Sequence, residues 1–260
     1  MLIDTHIHLD AREFDFDREA VIEAARVAGV RRFIVPAVER QNFDAVEALA
    51  TSHADVAFAL GIHPLYVGGA TAADLEVLDF RLGASRAIAV GEIGLDQFVA
   101  TPAIELQTEY FVAQLKLARK HGLPVILHVR RAVDAVLKAL RRIEVPGGIA
   151  HSFNGSLQQA HQFIDMGFKL GFGGAMTFTG STRIRSLAAE LPLSALVLET
   201  DAPDISPAWR HGARTEPADL AEILKLIAVL RSDTPEHVAA ATADNVHQIF
   251  GRGARFGTDR

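Results

Sequence analysis

The sequence predicts an α/β fold, a single (β/α)8 barrel, and three observations predict it. Short apolar runs recur eight times along the chain, and amphipathic stretches separate them. Most of the runs are rich in Val, Ile, Leu and Ala without alternation, as parallel strands covered on both faces must be. Finally, 260 residues shared among eight units leave about 30 residues per unit, the spacing that a closed barrel requires.

Strand one is expected over residues 2–6. A helical pattern over 17–28 follows and stops at Gly29, a residue suited to a helix cap. Strands two, three and four are expected over 32–37, 56–61 and 87–91. The longest helical pattern covers 104–121 and ends in Gly122-Leu123-Pro124, a stop signal. Strands five and six follow over 125–128 and 148–151, then a helix over 157–166 that ends at Gly167. Strands seven and eight are expected over 168–172 and 196–199. The competing architecture is an open doubly wound sheet, which needs a Gly-x-Gly-x-x-Gly turn after strand one. That turn is missing, and Gly171-Phe172-Gly173-Gly174 does not begin one. Residues 1–250 read as one domain without a linker, and 251–260 as a polar, glycine-rich, frayed tail.

Composition narrows the function. A net charge of −6 argues against a whole-surface field for duplex DNA, so any nucleic-acid contact has to be local. The absence of cysteine excludes a disulfide scaffold, a thiolate nucleophile and a Cys-ligated zinc site. No run approaches the ~18 apolar residues of a membrane span, and the first residues lack the basic start and apolar stretch of a secretory signal. A cytoplasmic protein with no membrane and no obligate protein partner is the expectation.

The histidines carry the chemistry. Five of eleven, His6, His8, His63, His128 and His151, fall at the carboxyl ends of expected strands, as do Glu92, Glu199 and Asp201. That face of a (β/α)8 barrel carries catalysis, and the opposite face carries stability. His6-x-His8 has the two-residue repeat that points both imidazoles to one side, where they suit a borderline divalent ion such as Zn²⁺, Mn²⁺ or Ni²⁺. Taken alone, the pair equally suits a buried hydrogen-bonded couple. Glu92 can bridge two cations, or it can belong to an ordinary acidic loop. His128 and His151 end consecutive strands and form a second group with Glu92. Asp201 faces His6 and His8 across a closed barrel, with a helix cap as its bland role. Asp4, Asp96 and Glu199 are expected behind the ligands, orienting them or joining a core network. None of the five lysines falls at a carboxyl strand end, so a carboxylated lysine is not available as the bridge.

Six segments in register, Asp4-Thr5-His6-Ile7-His8-Leu9, Gly61-Ile62-His63-Pro64, Gly91-Glu92-Ile93-Gly94-Leu95-Asp96, Pro124-Val125-Ile126-Leu127-His128-Val129-Arg130, His151-Ser152-Phe153-Asn154-Gly155 and Glu199-Thr200-Asp201-Ala202-Pro203, resemble the TatD family of metal-dependent deoxyribonucleases, closest to its YjjV-like branch. The resemblance covers the chain to about residue 250. It implies an amidohydrolase-like TIM barrel holding two divalent cations (Mg, Mn, Zn or Ni). His6, His8, Glu92 and Asp201 would hold one cation, and Glu92, His128 and His151 the other. His63 and Arg130 would contact the substrate, with Asp201, Glu92 and His63 as the catalytic set and Asp201 as general base. The implied substrate is single-stranded or frayed DNA, cut exonucleolytically. A small-molecule amidohydrolase or esterase with the same metal site is the alternative, and a non-catalytic binding barrel would require a missing ligand. The sequence departs from the family at Gln97-Phe98-Val99-Ala100, Ser152 and Thr215-Glu216, where substrate would be gripped. Arg130, Arg131, Arg183, Arg185 and Arg210 follow strands and are expected to supply a local positive rim.

Overall fold

In the computed structural model, which describes residues 1–251, every expected strand is present and all pairings are parallel. The strands are β1 (Leu2–Asp4), β2 (Val30–Pro36), β3 (Val56–Ala59), β4 (Val90–Asp96), β5 (Val125–Arg130), β6 (Gly148–Ala150), β7 (Phe168–Phe172) and β8 (Leu196–Leu198). They pair in sequential order as β1-β2-β3 and β4-β5-β6-β7-β8. A parallel bridge between Leu60 and Val90 joins the two ladders. Across the remaining seam the Thr5 N–H donates to Leu198 O at 3.0 Å, and the Asp201 N–H donates to His6 O at 2.9 Å. Sequential order with a bonded seam is a closed barrel, and it rules out the open sheet.

The outer layer comprises α1 (Arg18–Val27), α2 (Phe43–Ser52), α3 (Ala72–Ala84), α4 (Ile104–His121), α5 (Val133–Leu140), α6 (Leu157–Asp165), α7 (Thr182–Glu190) and α8 (Leu220–Arg231). The three sequence-read helices fall within one residue of expectation at each end. Their stopping glycines, Gly29, Gly122 and Gly167, take φ of +100°, +64° and +83°. A final helix, α9 (Pro235–Phe250), packs on β1 and β8. Its Ala243 and Val246 join Ile3, Ile34, Ala59, Ala89, Ile126, Ile149 and Val197 in an apolar plug. The plug fills one end of the barrel and leaves the other end to polar side chains. In β5 and β6 the change takes one strand repeat, from Ile126 to His128 and from Ile149 to His151, because residues two apart share a face. No helix among the described residues is long and apolar enough to cross a membrane. The expected frayed tail lies, beyond Gly251, outside the described residues.

Two departures from expectation bear on the site. β1 ends at Asp4, so His6 and His8 lie beyond it and the two-residue repeat does not align them. Backbone bonds to both neighbours do so instead: the Ile7 N–H donates to Ile34 O, and the His8 N–H donates to Ala202 O. β4 runs over Val90–Asp96 rather than 87–91, so Glu92 lies inside the strand. The glycines around Glu92 mark a close approach between strands. A Cβ at Gly94 would sit 1.9 Å from His128 O, and one at Gly91 would sit 2.7 Å from Ile126 Cβ.

Two buried glutamines on α4, seven residues apart on one face, fix the loops that carry the site. Gln114 accepts from the Ile62 N–H (2.7 Å) and donates to Ile62 O (3.0 Å), immediately before His63. Gln107 accepts from the Asp96 N–H (2.8 Å) and donates to Asp96 O and Pro102 O. Buried backbone groups left without partners are costly. Gln114→Leu preserves the volume but strands both polar groups of Ile62, so stability should fall by roughly 2–4 kcal/mol. Urea unfolding measures this loss, and an unchanged midpoint contradicts the pinning role.

Candidate metal centre

Glu92 is buried at the open end of the barrel, and its two oxygens face different imidazoles. Oε2 lies 3.1 Å from His6 Nε2 and 3.7 Å from His8 Nε2. Oε1 lies 3.0 Å from His128 Nδ1, 3.0 Å from His151 Nε2 and 3.5 Å from His63 Nε2. Asp201 Oδ1 completes the first side, 3.5 Å from His6 and 3.6 Å from His8. Asp201 holds a left-handed backbone, φ +58°, which Asp tolerates better than most residues.

The donor atoms gather into three overlapping groups, His6–His8–Asp201, His6–Glu92–His151 and His63–Glu92–His128, each within 4.8 Å. All six residues expected as ligands are therefore brought together. His63, expected at the substrate, stands in the same cluster on the Oε1 side. Imidazole nitrogens and carboxylate oxygens with no cysteine suit a first-row divalent ion or Mg²⁺.

The electrostatics require positive charge. Burial alone would raise the Glu92 pKa, but the surrounding histidines, His63 foremost, outweigh it and hold the carboxyl well below its usual range. Burial opposes the charged form of His8, yet the Asp201 carboxylate 3.6 Å away lifts it to about 9. His151 rises against burial to about 10 because Glu92 faces it. Burial, and then the charge on His151, press His6 down to about 4; the two rings stack with centroids 3.9 Å apart. Without other cations the carboxylates recruit protons onto some imidazoles at the expense of a neighbour. Divalent ions would occupy the same nitrogens.

The carboxylates expected behind the ligands divide. Asp96 Oδ2 lies 3.0 Å from His128 Nε2 and so orients that ring, as expected. Asp4 accepts from the Thr200 N–H (3.0 Å) and hydroxyl (2.6 Å), a core network at the β8–β1 seam. Glu199 is 3.8 Å from His151 Nδ1, too far for a hydrogen bond. It accepts instead from the Ser152 N–H. Room for it comes from Gly171, where a Cβ would lie 2.1 Å from Glu199 Oε2.

A cavity of about 1640 Å³ opens above the cluster. Arg130, Arg131 and Arg183 line it, but Arg185 and Arg210 do not. Arg185 donates to Met176 O, and Arg210 pairs with Glu216 and Asp219. The expected positive rim is thus confined to one wall. Sequence reading overlooked Gln107 and Gln114. The helical seven-residue spacing of the two glutamines on an apolar face was the available signal.

The family model described as TatD related DNase matches residues 3–251. YjjV of Escherichia coli strain K12, named an uncharacterized metal-dependent hydrolase, is 40% identical over 95% of this chain and 97% of its own. TatD of Rahnella sp., named a 3'-5' ssDNA/RNA exonuclease, is 31% identical over 96% of this chain and 98% of its own. The crystal structure of Escherichia coli YjjV superposes with a TM-score of 0.92, covering 96% of this chain and 97% of that one. A TatD family hydrolase from Entamoeba histolytica shares the fold, with a TM-score of 0.84 at 16% identity, over 96% and 97% of the two chains.

Two outcomes are expected of metal binding. His8 and His151 carry protons at neutral pH when no cation is present, so Zn²⁺ or Mn²⁺ uptake should release protons. Affinity should rise as pH rises towards about 9 and about 10. Titration of the metal-free protein in buffers of different ionisation enthalpy reads this directly, and uptake without proton release contradicts it. Asp96→Asn should weaken metal affinity about 10–100-fold through loss of ring orientation; equal affinity in a competitive chelator assay would remove Asp96 from that role.

Proposed function

Because this chain belongs to the TatD family of metal-dependent hydrolases, we propose that it is a deoxyribonuclease acting on single-stranded or frayed DNA ends. On this reading two divalent cations occupy the centre. His6, His8, Glu92 and Asp201 hold one, and Glu92, His128 and His151 hold the other. The observation that carries the reading is the division of Glu92, with Oε2 towards His6 and His8 and Oε1 towards His128 and His151. A carboxylate so placed joins two half-sites. When bound, the cations supply Lewis acidity and neutralise the charge that develops on a phosphoryl group.

The protein's own residues supply the remaining functions. Burial would raise the Asp201 pKa, but the neighbouring imidazoles, His8 foremost, outweigh it and keep the carboxylate ionised. It is therefore the group that accepts the proton of the attacking water. Burial holds His63 below its usual pKa, so the ring is neutral. Its Nδ1 accepts from the Leu65 N–H at 3.2 Å, which leaves the proton on Nε2. An Nε2–H donates rather than ligates, so His63 fits a phosphoryl oxygen better than a metal. Arg130 at the cavity mouth meets the adjoining substrate charge. The nuclease named among the relatives, Rahnella TatD at 31% identity, supports the choice of nucleic acid over an amide.

Labelled oligonucleotides with Mg²⁺ or Mn²⁺, beside a panel of amides and lactones, test the reading and report its polarity. Shortening from one end is expected, and Glu92→Ala should lose at least about a hundred-fold in divalent-dependent rate. Retained activity in that variant removes the bridging role. Amide turnover with an intact oligonucleotide replaces the nuclease by an amidohydrolase.

A further inference from the structure

Phe98 stands half exposed, at 50%, on the cavity wall. Two cations flank it. The guanidinium carbon of Arg130 is 3.8 Å from its ring centroid, and that of Arg131 is 4.7 Å away. Arg131 reaches this place with a left-handed backbone, φ +55°, which a non-glycine residue keeps only where its surroundings hold it.

Stacking uses the face of a guanidinium and leaves its N–H edge available. Among the described residues neither Arg130 nor Arg131 donates a hydrogen bond, and Arg130 Nη1 is 3.9 Å from Asp96 Oδ2. Arg183, on the same wall, instead spends its donors on Asn154 Oδ1 at 2.8 and 3.1 Å. The ring is also tied to the metal centre. The Phe98 N–H donates to Asp96 Oδ1 at 2.8 Å, and Asp96 Oδ2 meets His128. The Gln97 N–H donates to Arg130 O at 2.8 Å, fastening the loop to β5.

The facing wall has the opposite sign. There Asp10, Glu13, Glu39 and Asp204 line the cavity and outnumber the one cation among them, Arg12. An anionic chain that enters the mouth is drawn to the Phe98 side.

We propose that Phe98 is a positioning residue that holds Arg130 and Arg131 as a paired clamp for the phosphate next to the scissile one. The clamp makes the site selective for an oligonucleotide over an isolated diester. Two pre-stacked guanidiniums lose little freedom when a phosphate arrives, and each offers a fork of charge-assisted donors. The proposal rests on the nuclease reading and adds what determines its specificity.

Steady-state kinetics of the Mn²⁺-loaded enzyme on a single-stranded oligonucleotide and on bis(p-nitrophenyl) phosphate test it. Phe98→Ala should raise KM for the oligonucleotide about ten-fold, with kcat changing less than KM. The ratio of kcat/KM between the oligonucleotide and the diester should fall by a similar factor. Phe98→Tyr, which retains a ring, should restore both. Raising salt should weaken the wild type more steeply than Phe98→Ala. Equal losses on both substrates would show damage through Asp96 and His128 and overturn the proposal, as would an unchanged KM. A wild type that cleaves the diester but not the oligonucleotide overturns both this proposal and the nuclease reading. Oligonucleotide cleavage with an unaltered Phe98→Ala ratio overturns only the clamp.

Discussion

One buried carboxylate organises this protein. Glu92 stands within 3.7 Å of five imidazoles, contributed by segments that follow β1, β3 and β6 and by β5 itself. A buried anion is tolerable only when positive charge meets it from several directions. A single hairpin or helix pair cannot supply those directions. A closed ring of strands can, because every strand delivers its carboxyl end to one rim. The seam bonds between Thr5 and Leu198, and between Asp201 and His6, therefore serve the chemistry as well as the fold: they bring the β8 carboxylate against the histidines that follow β1.

The same demand explains the glycines and glutamines near the site. β4 must approach β5 closely enough for Glu92 and His128 to meet, and Gly91 and Gly94 remove the Cβ atoms that would prevent it. Loops made to carry functional groups lose ladder hydrogen bonds, so their buried backbone needs other partners. Gln107 and Gln114 provide them from one helix, α4, at positions adjoining His63 and His128. A single rigid rod thus sets the spacing of two parts of the centre.

Much of this was legible in the sequence. Runs of Val, Ile and Leu gave the strand order, glycine after each helical pattern gave the stops, and histidine after an apolar run gave His128 and His151. What failed was local. Strand four was ended at residue 91, but it runs on to Asp96 because Gly91 and Gly94 let it lie against β5. His6 and His8 were aligned on a strand repeat that ends before them, since bonds to β2 and to the β8 loop are non-local. Arg185 and Arg210 were placed on the rim by their position after strands, but Met176 O, Glu216 and Asp219 claim them. Pairing of that kind depends on tertiary neighbours that a linear pattern does not contain.

The layer beneath the centre responds to the charge above it. Burial raises Asp4 to about 7 and Glu199 to about 8, so without metal the two carboxyls can hold protons beside Glu92 and Asp201. Divalent ions at the rim would favour the ionised form of each, since a nearby positive charge lowers an acid's pKa. The Thr200 bonds to Asp4 and the Ser152 bond to Glu199 suit the ionised forms, because each donates a hydrogen to carboxylate oxygen.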